Sequence, residues 1–392
     1  MYLKLAFLSL FRRPLRQGLL FLIIALSCAL PVFLLQMTGG LYRGINRAVE
    51  PFPILAGVKG SAYQLILNTI FFRDRPVGNI SYETVETLRK GGKTSAVYPL
   101  AFGDNYRGFP VIGTEKEIFS YQPKKNAPPW LRLSEGTIFE KEGDAVIGSE
   151  TARLSGLSVG DTFRSIHGAA AQGRSHDHVS KVTGILAPAG GPYDRAIFVS
   201  LEDVWESHHA ELTDGKGEVT ALIVSPKGYK ESMQLLSEYQ RNKDVQMIFP
   251  SQSVISLYHA AGQSKEFWQI LVISILALSL VITLLVLYWS NAGRLSEFAL
   301  LKALGAGNKD ITVMILGEEA LLLFTGSLAG WLSAYGASVM AANMISRHAA
   351  IVMDTAPVPE GLLIIPVMTI AGTLAGLIPA RMIRNKDISG HL

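Results

Sequence analysis

Four stretches of the chain contain no Asp, Glu, Lys or Arg: Gln17 to Tyr42, Phe267 to Gly293, Ala320 to Ser346 and Gly361 to Ala380. At 1.5 Å per helical residue, about 20 residues cross a hydrocarbon core of roughly 30 Å, so each stretch has the length of a membrane span. Lipid offers no hydrogen bonds to the backbone, which makes a helix the expected form of each run. The third run extends back through the apolar residues 311–317, with Glu318 and Glu319 embedded, so that span is read as 311–346. Carboxylates at that depth face protein or the membrane boundary, and a structural role near the cytoplasmic side is expected for them. The mean hydropathy of +0.28 over 392 residues is an average over these runs and one long segment of ordinary polarity, residues 43–266.

Basic residues set the orientation. Lys4, Arg12, Arg13 and Arg16 precede the first run; Arg294, Lys302 and Lys309 lie between the second and third; Arg381, Arg384 and Lys386 follow the fourth. The other side offers only Arg43, Arg47, Lys265 and Arg347 near span ends. The positive-inside bias therefore places both termini and the 294–310 loop in the cytoplasm, with 43–266 and the short 347–360 loop outside. Residues 1–16, apolar on most sides over 3–11 and ending in Arg12, Arg13 and Pro14, read as an amphipathic elbow along the inner leaflet. Residues 381–392 read as a cytoplasmic tail. Cys28, the single cysteine, falls within the first run, so no internal disulfide can form. That run is too long for a cleavable signal and reads as a permanent anchor.

Segment 43–266 holds 25 basic and 25 acidic residues, so the net charge of +4 belongs wholly to the membrane portion and its lipid-facing flanks. No basic run interleaved with aromatics occurs, which argues against nucleic acid as a partner. Within the segment, helical spacing over 82–90 and 230–239 alternates with strand-like runs at 95–102, 109–112, 145–147, 182–186, 196–199, 219–224 and 245–249. The expected fold is thus an α-helical membrane protein with four transmembrane helices in a one-plus-three layout, and an α+β domain between the first and second. Two subdomains are expected within that domain, one from its end pieces and one from an insert at about 113–218.

The loop after the second run reads Arg294-Leu-Ser-Glu-Phe-Ala-Leu-Leu-Lys-Ala-Leu-Gly-Ala-Gly-Asn-Lys-Asp-Ile311. It resembles the cytoplasmic loop of MacB/FtsX-like permeases of ABC transporters. The long third helix with Glu319, Gly326 and Gly330 is similar to that family's, as is Pro379-Ala380-Arg381 at the close of the fourth. In the outer segment, Val111-Ile-Gly-Thr114, Gly136-Thr-Ile-Phe139, Ala145-Val-Ile-Gly148, Gly160-Asp-Thr162 and Val182-Thr-Gly-Ile-Leu186 resemble the MacB-like periplasmic domain in order and spacing. The resemblance covers nearly the whole chain. It departs at the tail, where Asp387-Ile388 stands in place of the family's Asp-Pro segment.

The resemblance implies a non-catalytic subunit of the bacterial inner membrane that works as a homodimer with two copies of a separate ABC ATPase, ATP and Mg being bound there and no cofactor here. It also implies motion of the outer domain by mechanotransmission, to export or extract a lipoprotein, lipid, peptide or drug with a periplasmic adaptor or carrier. The alternative is an FtsX-like scaffold that regulates a cell-wall hydrolase or sensor kinase. The ATPase-coupling residues would be Glu297, Phe298, Leu301, Lys302, Ala303, Leu304, Gly305 and Ala306. Helical spacing puts Phe298, Leu301 and Leu304 on one side of this loop helix and Lys302 on another, and Gly305 can supply a left-handed end. Gly326 with Gly330, and Gly372 with Gly376, are small-residue pairs that let helices approach closely, within one subunit or across a dimer.

Two weaker patterns lie in the outer segment. Gly168 to Ser175 imitates a phosphate-binding loop, but Arg174 stands where lysine is required and the segment faces away from ATP. His176 and His178, flanking Asp177, could supply imidazoles to zinc, although so loose a spacing also suits a polar loop. No nucleophile-elbow or zinc-protease pattern is present.

Overall fold

A computed structural model describes the chain except for residues 1–13, 74, 125, 168–178, 208–216, 261–262, 349–352 and 386–392. Most of the expected elbow, the phosphate-loop imitation, His176, His178 and the end of the tail lie outside the described residues. The chain divides into two compact units, residues 43–261 with 345–353, and residues 1–42, 262–344 and 354–392.

Helix α1 (Pro14–Val49) runs for 36 residues through the first apolar stretch. Proline at its first position costs no hydrogen bond, because that N–H has no helical partner. The first unit then proceeds through β1 (Ile54–Val58), α2 (Ala62–Thr69), β2 (Ile80–Ser81), α3 (Glu83–Lys90), β3 (Thr94–Tyr106), β4 (Phe109–Thr114), β5 (Leu133–Gly136), β6 (Asp144–Ile147) and α4 (Ser149–Ser155). It continues with β7 (Thr162–Phe163), β8 (Ile166–His167), β9 (Ser180–Leu186), β10 (Ile197–Ser200), α5 (Leu201–Ser207), β11 (Glu218–Val219), β12 (Ala221–Pro226), α6 (Tyr229–Gln240), β13 (Val245–Ile248) and α7 (Pro250–Ala260).

One mixed sheet carries this unit, in the order β13-β1-β12-β3-β4-β10-β6-β9-β5, with β7 beside β9 and β8 beside β3. The pairs β4–β10 and β6–β9 are parallel, and the remaining pairs are antiparallel. Strands of the end pieces (β13, β1, β12, β3, β4) and of the insert (β10, β6, β9, β5) join in this one sheet, and β8 of the insert pairs with β3, so the two expected subdomains share a single sheet within one compact unit. Alternation along the strands sorts side chains into two cores: Ile54, Ala56, Leu222, Val224, Ile197 and Val199 on one face, Leu55, Ala221, Ile223 and Phe198 on the other. Val85 and Leu88 of α3, Trp205 of α5 and Leu235 of α6 close the first face. Leu65 and Ile66 of α2 close the second, with Phe52, Tyr121 and Tyr193. Strands covered on both sides read as continuous apolar runs, which explains why β12 shows no polar alternation.

A turn at 189–194 is fixed by a buried carboxylate. Asp194 accepts from the N–H groups of Ala189 at 2.7 Å, Gly190 at 2.8 Å and Gly191 at 3.3 Å. Burial pushes its carboxyl above the ordinary value, and the three backbone donors pull the other way.

The second unit contains α8 (Gln263–Ala292), α9 (Leu295–Ala303), α10 (Asn308–His348), α11 (Pro359–Asn385) and the bulk of α1. Among the described residues, α1, residues 267–292 and residues 308–346 are long and apolar enough to cross a membrane, and Pro359–Leu374 of α11 is a shorter apolar stretch. All four glycines of the two small-residue pairs lie at helix contacts within this chain. A Cβ on Gly326 would come within 2.8 Å of Ile24, and one on Gly330 would overlap the Ala25 carbonyl and meet Cys28 Cβ at 2.9 Å, so α10 packs hard on α1. On α11, a Cβ at Gly372 would meet Leu323 at 2.7 Å, and one at Gly376 would overlap the Glu319 carboxylate.

Candidate functional site

The loop helix α9 is short, and its spacing only partly indicates which of its apolar side chains are buried. Arg294 is its N-cap residue, and Glu297 stands in the first turn, where a carboxylate favours the helix dipole. At the other end, the Gly305 N–H donates to the Lys302 carbonyl at 2.9 Å and the Ala306 N–H to the Leu301 carbonyl at 3.0 Å. Gly305 sits at φ +95°, the left-handed conformation expected of it. These two bonds form a Schellman motif, and its usual apolar contact is present: Leu301 and Ala306 pack against the same small core. Asp310 then receives the Gly307 N–H at 3.0 Å as α10 begins.

That core corrects one expectation. Phe298 is fully buried with Ile311, Met314 and Ile315 of α10, whereas Leu304 is 76% exposed, so the two do not share an outward face. The rise from Phe298 to Leu304 is six residues, far enough at 100° per residue to turn the helix away from its anchor. The exposed apolar surface is formed by Leu300, 58% exposed, with Leu304 and Ala303. Leu301 and Lys302 are half-buried between the two faces, while Gly305 completes the exposed end. Glu297 is half-buried and bound to Arg294.

Behind α9 lies a polar junction. Arg294 donates through Nε to Glu297 Oε2 at 2.9 Å and through Nη1 to Glu318 Oε2 at 2.7 Å, and its guanidinium lies 5.3 Å from the centre of the Phe298 ring. Glu318 Oε1 accepts from Gln17 Nε2 of α1 at 2.6 Å. Glu319 Oε1 accepts from Asn291 Nδ2 of α8 at 2.6 Å, and Arg16 Nη2 donates to Ser290 Oγ at 2.6 Å. Gln17, Asn291, Arg294, Glu318 and Glu319 are all buried. Buried charges persist only when paired and hydrogen-bonded, which is the condition of Arg294 and Glu318 here.

Residue spacing did not expose this junction. Arg294 and Glu318 are in different helices, so no periodic pattern relates them. The available signals were Glu318 and Glu319, embedded in an apolar run, and Gln17, a polar side chain opening another.

Residues 269–388 match the family described as FtsX-like permease C-terminal. No curated protein matches the sequence. Among solved structures, the chain is similar to the periplasmic region of MacB from Actinobacillus actinomycetemcomitans, at 10% identity over 54% of this chain and 95% of that one, with a TM-score of 0.37. It is also similar to the extracellular domain of the noncanonic ABC-type transporter YknZ from Gram-positive bacteria, at 11% identity over 50% of this chain and 98% of that one, with a TM-score of 0.31.

Proposed function

From a chain whose residues 269–388 form an FtsX-like permease domain, we propose the membrane subunit of an ABC transporter, driven through α9 by a separate ATPase that binds ATP and Mg. The runs 17–42, 267–293, 311–346 and 361–380 serve as four spans, with both termini and α9 in the cytoplasm and the α+β unit outside the inner membrane. Two copies of the chain pair and engage two ATPase subunits. Nucleotide-driven closure of the motor moves α9, and the spans carry that motion to the outer unit, which acts on cargo already beyond the bilayer.

The observation that carries this reading is the division of labour on α9. Phe298 and Leu301 fix one face to α10 through a small apolar core, and Leu300, Ala303 and Leu304 are left outward on a loop that the charge bias assigns to the cytoplasm. A rigidly based helix with an exposed apolar edge suits insertion into a groove of a partner. The test is site-directed crosslinking: Ala303→Cys, in a Cys28→Ala background, is expected to crosslink to a copurified ATPase, and Leu300→Asp with Leu304→Asp to abolish stimulation of ATP hydrolysis. Unchanged stimulation in the double variant refutes the docking role. Movement of a labelled cargo on ATP addition, in nanodiscs, separates a transporter from a scaffold that activates a bound hydrolase or kinase.

A further inference from the structure

We propose that Glu318 is a positioning residue that ties the loop helix to α1, so that displacement of α9 is transferred to α1 through its carboxylate. This rests on the coupling role proposed for α9.

Each oxygen of Glu318 is assigned to a different helix. Oε2 holds the Arg294 guanidinium at the N-terminus of α9, and Oε1 holds the Gln17 amide near the start of α1. Arg294 is in turn tied to α9 by its bond to Glu297 and its position over Phe298. The side chains of Arg294 and Glu318 are only 10% and 5% exposed, so water is poorly placed to replace either partner if α9 shifts. An ion pair screened from water resists slippage, and separating it would strand two charges. A part-buried hydrogen bond from Arg16, next to Gln17, to Ser290 also links α1 to the end of α8. Helix α1 is also shared between the two compact units, giving residues 14–42 to the unit of apolar helices and 43–49 to the unit of the mixed sheet. A pull on Gln17 therefore acts on a helix that is itself part of the outer unit.

Gln17→Met removes only the α1 arm, at nearly constant volume, and leaves the Arg294–Glu318 pair in place. Gln17→Lys restores a donor to Glu318. The experiment uses the full chain with its copurified ATPase in nanodiscs, in a Cys28→Ala background, with nitroxide labels at Tyr42→Cys and Met344→Cys. The readout is the change in label-to-label distance on addition of a non-hydrolysable ATP analogue, with ATPase binding measured in parallel.

Gln17→Met is expected to reduce the nucleotide-dependent change about fivefold or more without loss of bound ATPase, and Gln17→Lys to recover at least half of it. A full change in Gln17→Met overturns the relay and leaves the coupling role standing. Loss of ATPase binding in Gln17→Met, or failure of Gln17→Lys to recover the change, also overturns it, since Gln17 would then act by holding the bundle together. A reference chain that binds no ATPase, or responds to no nucleotide, overturns the coupling role and the relay with it.

Discussion

At Gly330 the absence of a side chain is a steric requirement, because the Ala25 carbonyl of α1 occupies the space a Cβ would need. Gly336, six residues further along α10, has nothing within 4 Å of that space. Gly330→Leu is expected to lower stability in detergent by about 1–3 kcal/mol, the usual cost of overpacking, whereas Gly336→Leu should stay within about 0.5 kcal/mol. Thermal unfolding of the two variants side by side checks this. Asp194 makes a different kind of demand. Its folded-state carboxyl is raised above the unfolded value, so the folded form binds more protons in the window just above pH 3.8. Stability contributed by that proton is present below the window and is lost as pH rises through it. The stability gap between the natural chain and Asp194→Asn should consequently widen as pH falls from neutral into the window; a gap that narrows would show that the three backbone hydrogen bonds outweigh burial.

At the scale of the element, α9 is a helix of nine residues that would not persist alone, since helices this short are marginal in water. Its existence depends on Phe298 as anchor and Gly305 as terminus. Phe298→Ala is expected to cost about 3–5 kcal/mol and to release the loop to proteolysis. Leu304→Ala, on the exposed edge, should cost no more than about 0.5 kcal/mol while still weakening partner binding. Gly305→Ala places a Cβ at φ +95° and should cost about 1–2 kcal/mol. Limited proteolysis at residues 294–310 would rank the three. Equal sensitivity of Phe298→Ala and Leu304→Ala would mean that the two faces of α9 are not distinct.

For the whole molecule, the apolar helices and the mixed sheet fall in two compact units. Topology reporters test the assignment of sides. A reporter active only outside the cytoplasm is expected to work when inserted at the turn after Pro226 and to be silent at Gly307, and a cytoplasmic reporter should give the opposite result. Reversal at either place would remove the basis for an ATPase acting on α9.

The apolar runs, most strands of the mixed sheet and the left-handed end at Gly305 were legible residue by residue, because each depends on local composition, periodicity or one backbone conformation. The strand at 54–58 was not, because its apolar residues serve cores on both faces and give no clear period, and neither was the helix at 62–69, which is only two turns long. Nor was the inward turn of Phe298, which is settled by Ile311, Met314 and Ile315 arriving from the next helix. The junction of Gln17, Arg294 and Glu318 was the least visible of all. Charge pairing inside a helix bundle is fixed by which faces the packed helices present to one another, and that is decided only when glycines such as Gly326 and Gly330 let α10 close against α1.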